Sequence, residues 1–512
     1  MSSRNVTPWI GLLVVLSLTL AACSGGGGGG TAGNLRVGYD FSSQFTNTFD
    51  PAKSSGNCDS IVTAPIYDTL IHLSAGGSLD PGLATSWSIQ GDIITLHLRP
   101  GVKFSDGEAF NANAVKLGLL HNKKNTTLDE LANINAVTVV NPLTVRITYA
   151  NNTGIELLYG LTSREGEIPA PKDLNKANSA PVGAGPFTFV SYRSGSELVL
   201  KANPDYWDKS AYHLKGIDFI EVGVGPPGVT ALESNAVDMV PVEAESYDPV
   251  IHTPTYGVAV AQSTAYLEFQ FRLTAPFDNV LVRQAVEYAI DRAKVNQVVN
   301  AGQGEVATQT FPKNSPGYDP SIAGLYPYDP AKAKQLLAQA GDGPGHSPSI
   351  LMVIPGGNIT AMEEQGSILQ SELTAVGFKV AISRVLGSNV EADYYISRTG
   401  NAFAAEHLGD AYPPDQLYDN FGKFQFVAIY NDAENQTLTT LLLDAFADGA
   451  TAQTWALTKQ ADDYVMQNAL DAPIAFAPQF MAYSKSRVHG VVHAQTDICN
   501  PPDLTGITSV TG

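Results

Sequence analysis

The chain has 512 residues, of which 44% are apolar and 16% are charged, and its formal net charge is −20. This length exceeds what one hydrophobic core supports, so we expect two or more domains. A strongly acidic chain repels phosphate backbones, which argues against nucleic acid as a partner, and the charge is typical of a protein that stays soluble outside the cell.

The N-terminus has the pattern of a secretory signal. Residues 10–22 are an almost wholly apolar run, too short to span a bilayer, for which roughly 20 apolar residues are needed. The stretch LAAC, Leu20 to Cys23, resembles the lipobox of bacterial lipoproteins, which implies cleavage before Cys23 and lipidation of that residue. We therefore predict a signal peptide over residues 1–22 and a glycine-rich flexible tether over 23–34. The alternative is an ordinary signal peptide with a chance cysteine.

Strands and helices alternate along the rest of the chain. In chain order we predict a strand and a polar loop over 35–58, a helix that runs into a strand over 59–73, and a strand with its turns over 93–110. A helix over 111–122, capped by Asn111 or Asn113, and two strands over 136–150 follow. The second half is richer in helices. These cover 278–299, 329–341, 362–385 (a helix followed by a strand), 437–449 and 454–470. The mixture predicts an α/β fold built in layers.

Two cysteines lie in this exported body. Disulfides form in oxidising compartments, so we predict a bridge between Cys58 and Cys499; two free buried thiols are the alternative. A bridge would hold both ends of the chain in one domain, with the middle of the chain looped out.

Four stretches of the sequence resemble the signature blocks of the extracellular solute-binding proteins of ABC transporters, in the group that binds peptides and nickel. They are LDPGLATSWSIQGDIITLHLRPGVKFSDGEAFNANAV, GAGPFTFVSYRSGSELVLKANPDYWD, FDNVLVRQAVEYAIDR and YPYDPAKAKQLLAQAG, in the family's order and spacing. The resemblance implies a two-lobed clamshell of the periplasmic-binding-protein type (class II, cluster C). It implies a large discontinuous lobe I, here residues 35–267 and 485–512, and a lobe II of residues 268–484.

Several conspicuous residues in these blocks are better explained as scaffold. Asp106-Gly107 is typical of a tight turn, with Phe104 and Phe110 packed beneath it. Backbone geometry accounts for Gly183 and Gly185, and core packing accounts for the aromatic residues Trp87, Tyr206 and Trp207.

The sequence has no pattern of an enzyme. It contains neither a G-x-S-x-G nor an H-E-x-x-H motif. His489 and His493 lie in a predicted strand, where residues four apart are roughly 13 Å apart and do not share a metal ion. We therefore expect a binding protein without catalytic activity, cofactor or metal.

The resemblance also implies ligand-binding residues. Family members that bind peptides hold the ligand's α-ammonium group with an aspartate from lobe II, and Asp410 in EHLGDAYPPDQLY occupies that position. His407 replaces the usual tryptophan, and Gly409 lies between the two. The alternative is that Asp410 caps its loop; Asp415 is better explained as a turn residue.

From lobe I, the resemblance places small residues against the ligand, where they allow close approach of the backbone. These small residues are Ser55, Gly56 and Asn57. Ser43, Gln44 and Phe45, which precede them in the sequence, are weaker candidates. A peptide carboxylate needs a cation, and the stretch IPGGNITAME lacks the arginine that some relatives have. Arg384 and Arg398 remain candidates.

Together these observations predict a lipid-anchored binding protein outside the cell membrane. We expect a monomer that captures a small peptide and delivers it to an ABC permease with two membrane subunits and ATPases. The alternatives are the same fold with a different ligand, such as a nickel chelate or an oligosaccharide, and a surface sensor that does not serve transport.

Overall fold

The structure is a computed structural model. It describes residues 33–41, 45–54, 57–74, 78–124, 129–150, 154–223, 225–243, 247, 250, 252–342, 345–356, 360–386, 390–407, 413–421, 432–447, 452–490 and 504–510. Within these residues, no helix has the length and apolar character that crossing a membrane requires.

Strands and helices alternate as predicted. The strands are β1 Leu35–Tyr39, β2 Ile71–Leu73, β3 Leu79–Pro81, β4 Ala84–Gln90, β5 Ile93–Leu98, β6 Ile134–Asn141, β7 Thr144–Tyr149, β8 Phe187–Arg193, β9 Glu197–Ala202, β10 Gly216–Glu221, β11 Met239–Val242, β12 Tyr256–Phe271, β13 Glu305–Val306, β14 Ser349–Gly356, β15 Lys379–Leu386, β16 Ala402–His407, β17 Asp471–Ser484, β18 Val488–Gly490 and β19 Ile507–Val510. The α-helices are α1 Ser60–Tyr67, α2 Ala112–Asn122, α3 Asp129–Ala132, α4 Gly154–Gly160, α5 Pro226–Glu233, α6 Val280–Ala289, α7 Arg292–Val299, α8 Pro330–Gln339, α9 Thr360–Val376, α10 Pro413–Phe421, α11 Asp432–Ala447 and α12 Ala452–Gln467.

One large sheet runs through the described part of the chain, in the order β15-β14-β16-β12-β17-β11-β1-β10-β9-β8, with β13 paired to β17. Its two long central strands, β12 and β17, are antiparallel along most of their length. The register of this pair shifts between Gln262 and Tyr266, so the sheet has an irregularity in the middle of both strands. A separate four-stranded sheet has the order β4-β5-β7-β6.

The buried cores divide on either side of this irregularity. Two clusters have buried members only from residues 267–475. Three others draw their buried members from residues up to 250 and from 480 onward. Side chains also make contacts between the two halves: Trp455 of α12 packs, partly buried, against the cluster built from residues 70–184, and the hydroxyl of Tyr247 donates to Oε1 of Gln303 at 3.3 Å.

Local sequence signals account for several helix ends. The side chain of Asn111 accepts hydrogen bonds from the N–H groups of Asn113 and Ala114, which confirms it as the cap of α2. Asp329 caps α8 in the same way, with Pro330 in the first turn. Gly341 follows the helix at a φ of 95°, a conformation that favours glycine.

The single helix predicted over 278–299 is wrong, because the chain forms two helices there. Ile290 leaves the helical conformation, and Asp291 caps α7 by accepting a hydrogen bond from the N–H of Lys294 at 3.1 Å. The break lets the buried guanidinium of Arg292 donate to the main-chain oxygen of Pro473 at 2.8 Å and to the carboxylate of Glu287. The predicted apolar face is nevertheless buried, at Val282, Ala285, Val286, Ala289 and Ile290.

The turn predicted in the first signature block is present, but the short strand beside it is not. Lys103 and Ala109 form only an isolated bridge. Gly107 has a φ of 88°, and the buried rings of Phe104 and Phe110 lie 5.6 Å apart. The block is therefore scaffold, as predicted.

The glycines and aromatic residues of the second block are also structural. A Cβ atom on Gly183 would lie 2.2 Å from the main-chain oxygen of Ile66, so only glycine allows this approach. Tyr206 and Trp207 both donate hydrogen bonds to Oδ2 of Asp68, at 3.1 and 2.8 Å. Trp87, from the first block, packs, partly buried, against the neighbouring core.

Both ends of the described chain meet in one core. Leu35 of β1 and Ile507 of β19 belong to the same buried cluster, which Leu504 joins and against which Cys58 packs. Cys58 is disulfide-bonded. Its predicted partner, Cys499, lies outside the described residues, so the pairing itself stays a prediction.

Candidate functional site

Strand ends from both halves of the molecule converge on the irregularity in β12. In the first half, β1 runs parallel to β10 and β11, and β11 pairs with the part of β17 that faces the beginning of β12. The carboxyl ends of β1, β10 and β11 therefore point toward Gln262. In the second half, β16 runs antiparallel to β12 and ends at His407, opposite Tyr266. β14 is parallel to β16 and ends on the same side.

This arrangement defines where a ligand site is expected. In open α/β sheets, ligands bind beyond the carboxyl ends of the strands. The chain leaves β1, β14 and β16 at the junction between the halves. The predicted ligand residues Ser43 and Gln44 follow β1 in the sequence, and Gly409 and Asp410 follow β16. The topology therefore brings the ends of β1 and β16, which are hundreds of residues apart in sequence, to one junction.

On the side of the first half, the junction is lined by closely packed aromatic residues. Phe45 is only 5% exposed, and its ring lies 5.9, 5.2 and 5.6 Å from those of Phe41, Phe49 and Tyr192. The hydroxyl of Tyr39 donates to the main-chain oxygen of Cys58 at 3.2 Å, and desolvation raises the pKa of Tyr39, so the phenol stays protonated. The end of β1 is thereby fixed to the segment that carries Asn57.

A buried carboxylate organises the segment before α1. Asp59 is fully buried, and its carboxylate accepts hydrogen bonds from the backbone N–H of Thr46 at 2.8 Å and from the hydroxyl of Ser54. Arg164 donates to the same hydroxyl at 3.0 Å. These contacts hold the chain on both sides of the predicted ligand residues Ser55 and Gly56.

On the side of the second half, the junction is built around His407. Its ring packs against that of Tyr266, with centroids 5.1 Å apart, and its Nε2 lies 3.2 Å from the side-chain nitrogen of Asn420 on α10. Desolvation lowers the pKa of His407 to about 4, so the imidazole is neutral at physiological pH. A neutral imidazole whose Nε2 accepts from Asn420 carries its hydrogen on Nδ1.

Helix α10, which follows the predicted ligand segment, is anchored by buried polar contacts. Gln416 donates to the main-chain oxygen of Thr310 at 2.8 Å, and the hydroxyl of Thr310 donates to Asp462 of α12 at 2.8 Å. Burial raises the pKa of Asp462 to about 7. The segment between His407 and Pro413 therefore starts and ends on fixed structure.

Ser43, Gln44, Ser55, Gly56, Gly409, Asp410, Cys23 and Cys499 lie outside the described residues. Asn57 begins the short 3₁₀ turn Asn57–Asp59. His407 and Phe45 lie at the junction, and their ligand contacts stay predictions.

The two candidate cations differ in their surroundings. Arg384, on β15, is 55% exposed, and its Nε lies 2.8 and 2.9 Å from the two carboxylate oxygens of Glu363 on α9. That contact raises the pKa of Arg384. Arg398 is exposed and has a φ of 57°. A ligand carboxylate at Arg384 would therefore compete with Glu363.

Sequence reasoning missed the polar residues on the two central strands. Tyr266 donates its hydroxyl hydrogen to Asp471 at 3.1 Å, and Gln270 donates to Glu268 at 2.7 Å. A signal was present, because Glu268 and Gln270 alternate with apolar residues in a strand that is buried on both faces.

The described residues contain no group of three or more His, Cys, Asp or Glu side chains arranged to hold a metal ion. Val488 to Gly490 form β18, as the predicted strand at His489 requires; His493 lies outside the described residues.

Comparison with known proteins places the chain in a family. Residues 78–426 match the model of the bacterial extracellular solute-binding proteins, family 5 Middle. The heme-binding protein A of Haemophilus influenzae is 31% identical over 324 residues, which are 54% of this chain and 56% of that relative. The glutathione-binding protein GsiB of Escherichia coli K12 is 26% identical over 472 residues, 87% of this chain and 89% of the relative.

Solved structures share the fold. The periplasmic binding protein DppA of Helicobacter pylori, determined in complex with the peptide STSA, superposes with a TM-score of 0.74 at 22% identity, over 94% of this chain and 98% of that one. The fold is thus the two-lobed, mixed α/β fold predicted from the sequence. The chain belongs to the family 5 bacterial extracellular solute-binding proteins, the substrate-binding components of ABC importers.

Proposed function

We propose that this protein captures a small peptide between its two lobes and delivers it to an ABC permease. The observation that carries the proposal is the convergence of β1, β14 and β16, from both halves of the molecule, on the irregularity in β12. A solute held at that junction would contact both lobes and would favour the closed arrangement.

The lobes in this proposal follow the cores. We place the division of β12 between Gln262 and Tyr266 and that of β17 between Phe476 and Pro478, where pairing is irregular and core membership changes. The boundary predicted at 267/268 is close to the first division. The boundary predicted at 484/485 lies at the end of β17, after residues that pair with β11. Trp455 would be one of the contacts that form as the lobes close.

The peptide's ammonium group is assigned to Asp410. His407 supports this assignment, because a neutral imidazole three residues away adds no positive charge to compete with the ligand. The charge of Asp410 then remains for the ligand, and a desolvated ammonium–carboxylate pair is a strong hydrogen bond.

The other end of the ligand has no dedicated cation among the candidates. Arg384 is paired with Glu363, and Arg398 is exposed to solvent. We therefore favour a peptide longer than a dipeptide, or one whose carboxyl end is blocked or solvated, held by backbone hydrogen bonds that do not depend on side-chain identity. DppA, with its peptide STSA, is a relative of similar fold.

A lipid on Cys23 and the glycine-rich tether would keep the receptor beside its permease. Tethering raises the effective concentration of one partner for the other without any new contact. It also leaves the binding lobes free to reach solute outside the membrane.

A non-peptide solute is the second candidate, because the relative from Haemophilus influenzae is a heme-binding protein. A thermal-shift screen of the purified protein against peptide, sugar, heme and metal-chelate libraries separates the two, since a ligand that binds the folded state raises Tm. Asp410→Asn should abolish the shift given by peptides, whereas Asp415→Asn should retain it. A shift with heme or chelates alone would contradict the peptide proposal.

A further inference from the structure

The two central strands carry a buried pair of carboxyl groups. Glu268 on β12 is 1% exposed and Asp471 on β17 is fully buried. Asp471 lies opposite Gln270 in the ladder, and Glu268 is two residues from Gln270 on the same face. Such diagonal positions are within reach of long side chains, and the charge of Asp471 is close enough to raise the pKa of Glu268.

Each carboxyl group accepts a hydrogen bond through one oxygen, and the other oxygen of each has no donor. The amide of Gln270 donates to Oε1 of Glu268 at 2.7 Å, and the hydroxyl of Tyr266 donates to Oδ2 of Asp471 at 3.1 Å. Oε2 of Glu268 and Oδ1 of Asp471 are buried and have no donor. Two ionised carboxylates in contact repel each other, and a buried acceptor without a donor costs roughly 1–3 kcal/mol.

The surroundings supply more acceptors than donors. The oxygen atoms Oε1 of Gln270 and Oε1 of Gln365 are also buried without a partner, although the amide of Gln365 donates to the main-chain oxygen of Glu268 at 2.9 Å. A hydrogen atom held between the carboxyl groups would satisfy both orphan carboxyl oxygens at once.

Among the described residues, the cations near the pair are engaged with other groups. The titratable and charged groups that face the pair are Tyr266 on β12, His407 on β16, Glu287 and Arg292 on α6 and α7, Asp462 on α12, and Tyr394, Tyr395 and Arg272. Of the cations, Arg292 is paired with Glu287, and the guanidinium of Arg272 donates to main-chain oxygens and stacks on Tyr394.

We propose that Glu268 remains a carboxylic acid in the folded protein at neutral pH and donates its hydrogen to Asp471, so that one bound proton links the two strands that join the lobes. Burial raises the pKa of Asp471 to about 7, but Asp471 is the acceptor because hydrogen bonds from Tyr266 and from the backbone of Ala472, and the positive charge of Arg292, favour its ionised form. Burial and the neighbouring carboxylate both raise the pKa of Glu268, and only Gln270 opposes them.

The proton makes stability depend on pH. The folded state binds a hydrogen ion at Glu268 that the unfolded chain, with an ordinary glutamate, releases above about pH 4.5. Above that value, each pH unit lowers the folding equilibrium constant about tenfold for this one proton. Glu268→Gln keeps an N–H donor for Asp471 but carries no titratable proton.

The test compares Glu268→Gln with the native chain and with Asp462→Asn, which removes a buried acid outside the pair. Chemical unfolding between pH 5 and 9 should show that Glu268→Gln removes about one proton from the pH dependence of unfolding. At pH 8, infrared difference spectra should show one carboxylic-acid C=O band that Glu268→Gln lacks and Asp462→Asn retains. An unchanged pH dependence and an unchanged band would overturn the proposal.

A small metal cation is the alternative occupant of the pair. At pH 8, replacing choline chloride with sodium or potassium chloride should change the Tm of the native chain by no more than it changes the Tm of Glu268→Gln. Stabilisation of the native chain alone by one of these metal ions would overturn the shared proton. Should Glu268→Gln fail to fold, Asp471→Asn takes its place, since it keeps an oxygen for Tyr266; it should shift the carboxylic-acid band, because the hydrogen of Glu268 then meets a neutral amide, and an unshifted band would overturn the proposal.

Discussion

Asp238 accepts hydrogen bonds from Arg36 through the backbone N–H at 2.9 Å and through Nε and Nη2 of the guanidinium group at 3.1 and 2.7 Å. Arg487, just after β17, donates to the same fully buried carboxylate. One side chain therefore joins the first strand of the described chain, the start of β11 and the segment after β17.

This junction predicts a large effect of one substitution. Burial raises the pKa of Asp238, but the hydrogen bonds from Arg36 and Arg487 outweigh burial and lower it. The stabilisation is therefore present above about pH 4 and is lost as pH falls through the lowered value. Asp238→Asn should lower the free energy of unfolding by about 3 kcal/mol at pH 7, because it leaves two guanidinium groups without their anion.

Urea unfolding at pH 7 measures this effect, with Glu363→Gln as the matched control. Glu363 also pairs with an arginine, Arg384, but the side chains of Arg384 and Glu363 are 55% and 35% exposed, so the control should lose less than about 1 kcal/mol. Equal losses in the two variants would show that burial of the Asp238 junction contributes nothing.

A buried glutamate predicts that stability falls as pH rises. Burial raises the pKa of Glu167 to about 8, against the opposing effects of Thr63 and Arg164. The folded state therefore holds a proton that the unfolded chain loses above about pH 4.5. The free energy of unfolding should decrease by about 1.4 kcal/mol per pH unit for this group, up to about pH 8.

Glu167→Gln tests this assignment, because the new side chain keeps an oxygen for the hydroxyl of Thr63, which lies 2.8 Å from Oε1. The variant should be more stable than the native chain at pH 8, and the difference should vanish near pH 4.5. A difference that stays constant across this range would mean that Glu167 is not protonated in the folded state.

The cysteine pairing predicts a specific cross-linked peptide. Digestion without reduction, followed by mass spectrometry, should join the peptide of Cys58 to that of Cys499, and Cys499→Ser should cost about 2–5 kcal/mol of stability. The core shared by Cys58, Leu504 and Ile507 supports this pairing. Recovery of Cys58 linked to Cys23 would contradict it.

The lipid anchor predicts where the protein is found. In a bacterial host, the native chain should sediment with membranes, and Cys23→Ser should appear in the soluble exported fraction. The chain after Cys23 is the same in the native protein and in the variant, so ligand binding should not change. Membrane association that survives Cys23→Ser would exclude lipidation as the anchor.

Local signals in the sequence were sufficient for much of the fold. Asn111 and Asp329 cap their helices by bonding to N–H groups two or three residues away, so the information lies within one turn. The break between α6 and α7 was missed because it depends on a distant contact, that of Arg292 with Pro473. The helical spacing of apolar residues does not reveal that contact.

The site was predictable only in part for the same reason. Family resemblance directed attention to His407, but its neutral state depends on burial against Tyr266 and on Asn420 from the following helix. The Glu268–Asp471 pair joins residues that are far apart in sequence. The alternation around Glu268 marks it as a buried polar residue, but in a chain with 50 acidic residues nothing local indicates that Asp471 is its neighbour.

Isothermal titration with one tetrapeptide, in its free and its N-acetylated form, tests the central claim most directly. If the lobes close around a peptide whose ammonium group meets Asp410, the free form binds and acetylation weakens binding at least tenfold, by about 1.4 kcal/mol or more. Asp410→Asn should lose the same preference. Equal affinity for both forms, or binding of neither by a protein that binds heme, would contradict the account.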